Sequence, residues 1–268
     1  MNRRTGFIGC GNMAKAIMRG ILSKKLRSPS EIIASDLYEN VLAGFQDEAG
    51  IATTLDNREA AAGSGILFIA VKPQDYEQTI RGIRDVISSD QIIVTIAPGK
   101  TLEWVEGVFG TGRGMRIVRT MPNLPATVGE GVTGICHNPF VTEEDFKAVK
   151  ELIGSFSDPI EIKESLMDVV CSVSGSSPAI VFMFIEALAD AAVLDGMPRQ
   201  LAYRFAAQTL IGAAHMVKDT GRHPGELKDL VCSPAGTTIE AVRVLEDKGF
   251  RGSIIEAVHR CTEKARGL

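Results

Sequence analysis

A chain of 268 residues can bury a substantial core, enough for two modest domains or one large one. A formal net charge of -4 without a dominant basic run argues against nucleic acid as a partner, and the apolar run Ala179–Leu194 carries Glu186 and Asp190, so no membrane span is expected. Five cysteines without a CxxC pair and four scattered histidines offer neither a disulfide framework nor a metal-ligand spacing, which points to reduced thiols in a cytoplasmic protein and no metal site, and no signal peptide is expected because glycine at once interrupts the N-terminal apolar run.

Thr5 to Ile8 reads as a short buried strand that runs directly into Gly9-Cys10-Gly11-Asn12-Met13-Ala14. A helix with Met13, Ala16, Ile17 and Ile21 on one face follows. This is GxGxxA in a strand–turn–helix setting: Gly9 for the tight turn, Gly11 for close approach of a pyrophosphate, Ala14 for helix–strand packing. The next strand, Glu31 to Ser35, ends at Asp36, an acid that can accept hydrogen bonds from a ribose 2′-OH and repels a 2′-phosphate. Asn57, in a helix start after it, reads equally as a capping residue or as a contact to the adenosine half.

The βα alternation continues. Gly65 to Val71 is an apolar strand ending in Lys72-Pro73, and Gln91 to Ile96 is another, ending in Ala97-Pro98-Gly99. Continuous apolar strands between helices imply a parallel sheet covered on both faces, with its ligand crevice at the strand carboxyl ends. Met115 to Thr120 is a further strand, broken at Met121-Pro122-Asn123-Leu124-Pro125, a stiff loop suited to hold a flat ring by backbone contacts. Gly131 to Cys136 and Pro159 to Ile162 read as edge strands on either side of a helix over Thr142–Ile153. Beyond Glu164 strand signals vanish and five helical segments are expected: Leu166–Leu194, Arg199–Lys218, Gly225–Val231, Thr238–Asp247 and Ser253–Arg266. Ser174-Gly175-Ser176-Ser177-Pro178 should interrupt or kink the first.

His223 to Glu246 reads as a short helix, a Ser233-Pro234-Ala235-Gly236 break and a new helix. Pro224 suits a first helical position, and Thr237 with Glu240 has capping-box spacing. Ser233, Thr237 and Thr238 place three hydroxyls beside the unpaired N–H groups of that helix start, where a carboxylate or phosphate can bind. A capped helix–helix turn accounts for the same spacing.

Taken together, the motifs resemble the pyrroline-5-carboxylate reductase family over essentially the whole length. They are Gly9 to Ala14, Ala70-Val71-Lys72-Pro73-Gln74, Arg119-Thr120-Met121-Pro122-Asn123, Ser174-Gly175, Ala187-Leu188-Ala189-Asp190, and above all His223 to Asp229 with Ser233 to Thr238. The resemblance implies an α/β chain: a Rossmann-like NAD(P)-binding domain over 1–164, then an all-α dimerisation and substrate-binding domain over 165–268. It implies reduction of 1-pyrroline-5-carboxylate to L-proline by NADPH or NADH, in a homodimer of interlocked helical domains, often within a decamer. Family cofactor contacts map onto Ile8, Gly9, Cys10, Gly11, Asn12 and Met13, onto Ser35, Asp36 and Asn57, and onto Ala70, Val71, Lys72 and Pro73. They continue at Ile96, Ala97 and Pro98, with the nicotinamide near Met121, Pro122 and Asn123. The substrate carboxylate maps to Ser233 and the Gly236, Thr237 and Thr238 amides, with the Thr238 hydroxyl at the ring nitrogen as the catalytic contact.

The chain departs from the family pattern at Ser177 and Ile180 (usually glycine and tyrosine), Leu124 (threonine), Cys232 (serine) and Ala235 (glycine). A reductase of a related cyclic imine and a non-catalytic nucleotide-binding regulator therefore stay open as alternatives. A β-hydroxyacid dehydrogenase calls for a lysine followed by an asparagine on the long helix, and Ser174 to Leu194 contains neither. Asp36 is followed by Leu37-Tyr38-Glu39-Asn40, with no cation for a 2′-phosphate, so the local chemistry leans to NADH while the family leans to NADPH.

Overall fold

The computed structural model describes residues 4–267, so residues 1–3 and 268 at the ends of the two expected domains lie outside it. Eight strands form one sheet: β1 Thr5–Ile8, β2 Ile32–Ser35, β3 Ala52–Thr54, β4 Ile66–Ile69, β5 Ile92–Thr95, β6 Arg116–Met121, β7 Gly131–His137 and β8 Ser157–Glu161. Their order is β3-β2-β1-β4-β5-β6-β7-β8, and the first six run parallel, with Ile8 level with both Ser35 and Ile69, and Thr95 level with Ile69 and Arg119. The strand order reverses beside β1, where open α/β sheets leave a crevice.

Side chains alternate across the strands into two apolar layers. Phe7, Ile66, Phe68 and Val94 meet α1 (Asn12–Ser23), α2 (Glu39–Ala49) and α6 (Glu143–Ile153), while Ile8, Leu67, Ile69 and Ile93 meet α3 (Asn57–Ala62), α4 (Tyr76–Ile83) and α5 (Leu102–Phe109). Phe7 and Phe68 stack at 4.8 Å between ring centroids. Double coverage is why the strands read as continuous apolar runs.

Three features depart from the sequence reading. β3 was not anticipated, because Ala52–Thr54 is short and half-buried and forms only against the free edge of β2. β7 is not an edge: it lies between β6 and β8. It is also antiparallel to β6, with Met121 level with Gly134, because the short helical turn Leu124–Val128 reverses the chain instead of crossing over the sheet.

After Glu161 the chain is helical: α7 (Met167–Val170), a π-helical turn (Cys171–Ser176), α8 (Ser177–Leu194), α9 (Arg199–Thr220), α10 (Pro224–Val231), α11 (Thr237–Asp247) and α12 (Phe250–Ala265). The small-residue break is the π-turn, and Pro178 sits in the first turn of α8. Proline has no N–H to give the carbonyl four residues back, that of Ser174, which instead accepts from Asn123 Nδ2 at 3.1 Å.

By internal packing the chain divides into two compact units, one ending at Gly175 and rejoined by Thr262 onward, the other Ser176–Cys261. In the first, Thr262 Oγ1 donates to Ser172 Oγ at 2.9 Å, both residues being buried. In the second, α8 packs along α9, yet Ala189 is the only buried residue of α8, and Phe182, Met183 and Phe205 are more than half exposed.

The helical stretch Glu164–Leu194 is long and apolar enough, by length and composition alone, to cross a membrane, with a mean hydropathy of 1.8 over eighteen residues. This corrects the expectation that nothing in the chain approaches a span, which considered only Ala179 onward although the helical stretch begins at Glu164. Length and composition are weak evidence for a membrane, since core helices of soluble proteins have the same character. Only 6% of that window is buried within the single chain.

Candidate active site

The residues expected at a dinucleotide lie in one row along the carboxyl ends of β1, β2, β4, β5 and β6, joined there by Asn57 at the start of α3. At β1 the backbone turns through Gly9, whose φ of +94° is left-handed and whose added Cβ would fall 2.7 Å from Ala70 O. The Gly9 N–H donates to Ser35 O at 2.8 Å, which ties the turn to β2. Gly11 is the N-cap of α1, without a side-chain cap, and a Cβ built on it meets nothing within 4 Å. An uncapped helix start behind an open glycine fits a pyrophosphate on the Asn12 and Met13 amides.

Asp36 does not cap α2. Its Oδ2 accepts from Cys10 N–H at 2.8 Å and its Oδ1 from Tyr38 N–H at 3.1 Å, so the acid braces the glycine turn against the loop after β2. Ser35 Oγ donates to Asn57 Oδ1 at 2.7 Å, which fixes that amide at the same end of the sheet. Arg58, the cation nearest in sequence, is engaged bidentately by Asp85 at 2.6 and 2.7 Å. Lys72 and Pro98 are exposed, whereas Ala97 is buried.

At the β6 end, Met121, Pro122 and Asn123 are all buried. The Asn123 side chain is already committed, accepting from Val132 N–H at 3.0 Å through Oδ1 and donating to Ser174 O through Nδ2, so it fixes the loop and leaves contacts with a flat ring to the backbone. Below it, buried Arg119 pairs with Glu164 at 2.8 Å, and Glu164 also accepts from Leu102 N–H at 2.7 Å. Burial pushes the Cys10 thiol up to about 11, and burial with nearby Glu164 pushes Cys136 up to about 12, so both stay protonated at neutral pH.

Ser233, Gly236, Thr237 and Thr238 form a second cluster, in the other compact unit. Gly236 N–H donates to Ser233 O at 3.0 Å across a turn in which Ala235 adopts φ +57°, a left-handed conformation that favours glycine. Ser233 Oγ lies 2.3 Å from where a Gly236 Cβ would stand, so any larger residue there would displace the Ser233 hydroxyl. The expected capping box between Thr237 and Glu240 is not formed. Gly236 takes the N-cap position and Thr237 is already helical, while Glu240 pairs with Arg243 at 2.6 Å. The start of α11 thus has no side-chain cap, which leaves its amides to an anion. The preceding α10 is capped by His223, whose Nδ1 accepts from Gly225 N–H at 3.0 Å.

Sequence reading missed two side chains that hold the strand ends. Arg119 was noted as part of a motif, but its ion pair joins residues far apart in the chain. Tyr76 carries no signal of its own in the sequence, and its hydroxyl bridges Ile69 at the end of β4 and Ile96 just past β5.

Two family models match: "Pyrroline-5-carboxylate reductase dimerisation" over residues 164–268, and "NADP oxidoreductase coenzyme F420-dependent" over residues 4–99. The pyrroline-5-carboxylate reductase of Escherichia coli is 47% identical over 268 residues, covering 100% of this chain and 99% of that one. The solved pyrroline-5-carboxylate reductase of Coxiella burnetii superposes with a TM-score of 0.92 at 30% identity, covering 100% of this chain and 98% of that one. A Plasmodium falciparum pyrroline carboxylate reductase solved with NADP bound gives 0.89 at 30% identity, covering 99% and 98%. With both the strand-end crevice and the helical region matched along their full length, this chain belongs to the pyrroline-5-carboxylate reductase family of oxidoreductases.

Proposed function

We propose that the chain reduces 1-pyrroline-5-carboxylate to L-proline with NAD(P)H, the last step of proline biosynthesis. The observation that carries this reading is that the 47% identity to a named reductase extends over all 268 residues, strand-end crevice and α11 start alike. The reduced nicotinamide supplies the hydride when bound. The protein's part is to hold and align. The α1 amides and Gly11 take the pyrophosphate, and Asp36 and Asn57 the adenosine ribose. The segments Ala70 to Pro73 and Ile96 to Pro98 line the crevice, and the backbone of Met121 to Asn123 faces the nicotinamide. Ser233 and the Gly236 to Thr238 amides hold the substrate carboxylate, and the Thr238 hydroxyl orients the ring nitrogen. A protonated imine is already electrophilic, so a hydrogen-bond partner is sufficient there.

Within this reading the chain prefers NADH. Asp36 places a negative charge at the end of β2, where the ribose is proposed to lie, and Arg58, next to Asn57, is engaged by Asp85 instead of being free for a 2′-phosphate. The exposed apolar face of α8 packs against a second copy in a homodimer of interlocked helical domains, which the resemblance extends to a decamer, and the enzyme is cytoplasmic. The test is oxidation of NADH and of NADPH by purified protein with and without 1-pyrroline-5-carboxylate. The expected result is turnover with a higher kcat/KM for NADH. Failure to consume either dinucleotide at millimolar imine disproves the activity, and faster turnover of a six-membered imine moves the assignment to that ring.

A further inference from the structure

Tyr76 begins α4, directly after the short helical turn Pro73–Asp75, and its side chain is fully buried among Ile69, Ile80, Ile93 and Ala97. Its hydroxyl donates to Ile69 O and accepts from Ile96 N–H at 3.1 Å. The geometry of the sheet gives this bridge a meaning. β4 and β5 stay paired as far as Ile69 and Thr95. Ala70 N–H turns to the other side, donating to Ile8 O at 2.7 Å, so by the alternation of backbone groups Ile69 C=O faces β5. The next rung of that ladder would join Ile69 C=O to Ile96 N–H. The phenol oxygen stands between the two, ending the ladder while satisfying both groups that its ending would leave unpaired. Burial holds the phenol well above its ordinary range, so it remains a neutral donor and acceptor.

We propose that Tyr76 is a positioning residue for the dinucleotide, its hydroxyl setting the spacing between the Ala70–Pro73 and Ile96–Pro98 segments. The inference rests on the reading that these two segments line the cofactor crevice. Tyr76→Phe keeps the ring and removes only the bridge, which frees the strands to pair one rung further. Ile80→Val trims the same apolar layer without touching it. Calorimetric titration with NADH and NADPH, thermal melts and the imine KM are to be measured for both variants and the wild type. Tyr76→Phe is expected to raise the Kd of both dinucleotides about tenfold, the scale of one well-placed hydrogen bond. Its imine KM at saturating dinucleotide should move less than about twofold, and Ile80→Val should lower Tm with Kd unchanged. The proposal falls if Tyr76→Phe binds like the wild type, if Ile80→Val weakens binding as much, or if Tyr76→Phe does not fold, since the hydroxyl would then serve stability alone. A wild type that binds neither dinucleotide overturns the reading of the crevice itself, and this inference with it.

Discussion

The strand-end crevice and the Cys232–Thr238 loop are built in opposite ways. In the crevice the groups that brace the strand ends are partnered within the protein, even though the α1 start itself is uncapped: Gly9 N–H on Ser35, Cys10 N–H on Asp36, Ser35 on Asn57, Asn123 on Val132 and Ser174. Such a site is shaped before any ligand arrives, and binding there pays little ordering entropy. The loop holds its turn by one backbone bond through a left-handed alanine, and Ser233 and Thr237 are exposed. Its donors are left to an anion. If the proposed sites hold, the contrast separates two tasks: a braced frame for the hydride donor and a lightly held helix start for the substrate.

That contrast can be broken by substitution. Thr238→Ala should have the largest effect, lowering kcat/KM for the imine by about 100-fold while dinucleotide Kd stays within about twofold. Parallel losses in both would mean that the loop serves the fold and not the substrate. Gly11→Val comes next. Because a Cβ there meets no protein atom, Tm should change by no more than about 3 °C, while the added bulk blocks the pyrophosphate and raises dinucleotide Kd by at least about tenfold. Intact binding in that variant would move the phosphates away from α1.

Ala235→Gly relieves a left-handed residue and should stabilise by about 1 kcal/mol, raising Tm by ~2 °C. A lower Tm would show that the turn prefers its alanine. A last effect, seen only at alkaline pH, concerns a buried thiol. The ordinary Cys value is 9.0, and Cys136 is pushed up to about 12, so above pH 9 the unfolded chain releases a proton that the folded chain keeps. Stability therefore falls as pH rises from 9 towards 12. Cys136→Ala should flatten that fall in urea melts across the range, and an unchanged slope would clear Cys136 of the effect.

The sequence was most informative where one residue type has one physical use. Gly9 and Gly11 declared the turn at β1, and the apolar runs declared the strands around them. Strand direction was not written there: Gly131 to Cys136 reads as a strand, but only the brevity of the Leu124–Val128 turn makes it antiparallel to β6. β3 has too little apolar content to announce itself and exists because β2 offers it an edge. Thr237 and Glu240 had the right spacing for a capping box, but Gly236 claimed the N-cap first. Tyr76 was invisible as a brace because its two partners, Ile69 and Ile96, become neighbours only when the sheet forms.

The return of Thr262 to the first compact unit has a consequence for biosynthesis. Ser172 is 1% exposed and its hydroxyl meets Thr262 Oγ1. Everything from Ser176 to Cys261 must be translated before that partner exists. The sheet can pair as it leaves the ribosome, but the packing around the π-turn can close only after nearly the whole chain has been made. A nascent chain stalled before Thr262 would carry the assembled crevice strands with Ser172 Oγ already donating to Asp168 O at 3.1 Å but without the second hydroxyl that Thr262 brings to it. The turn to which Asn123 is tied is thus among the last parts of the first unit to complete its packing.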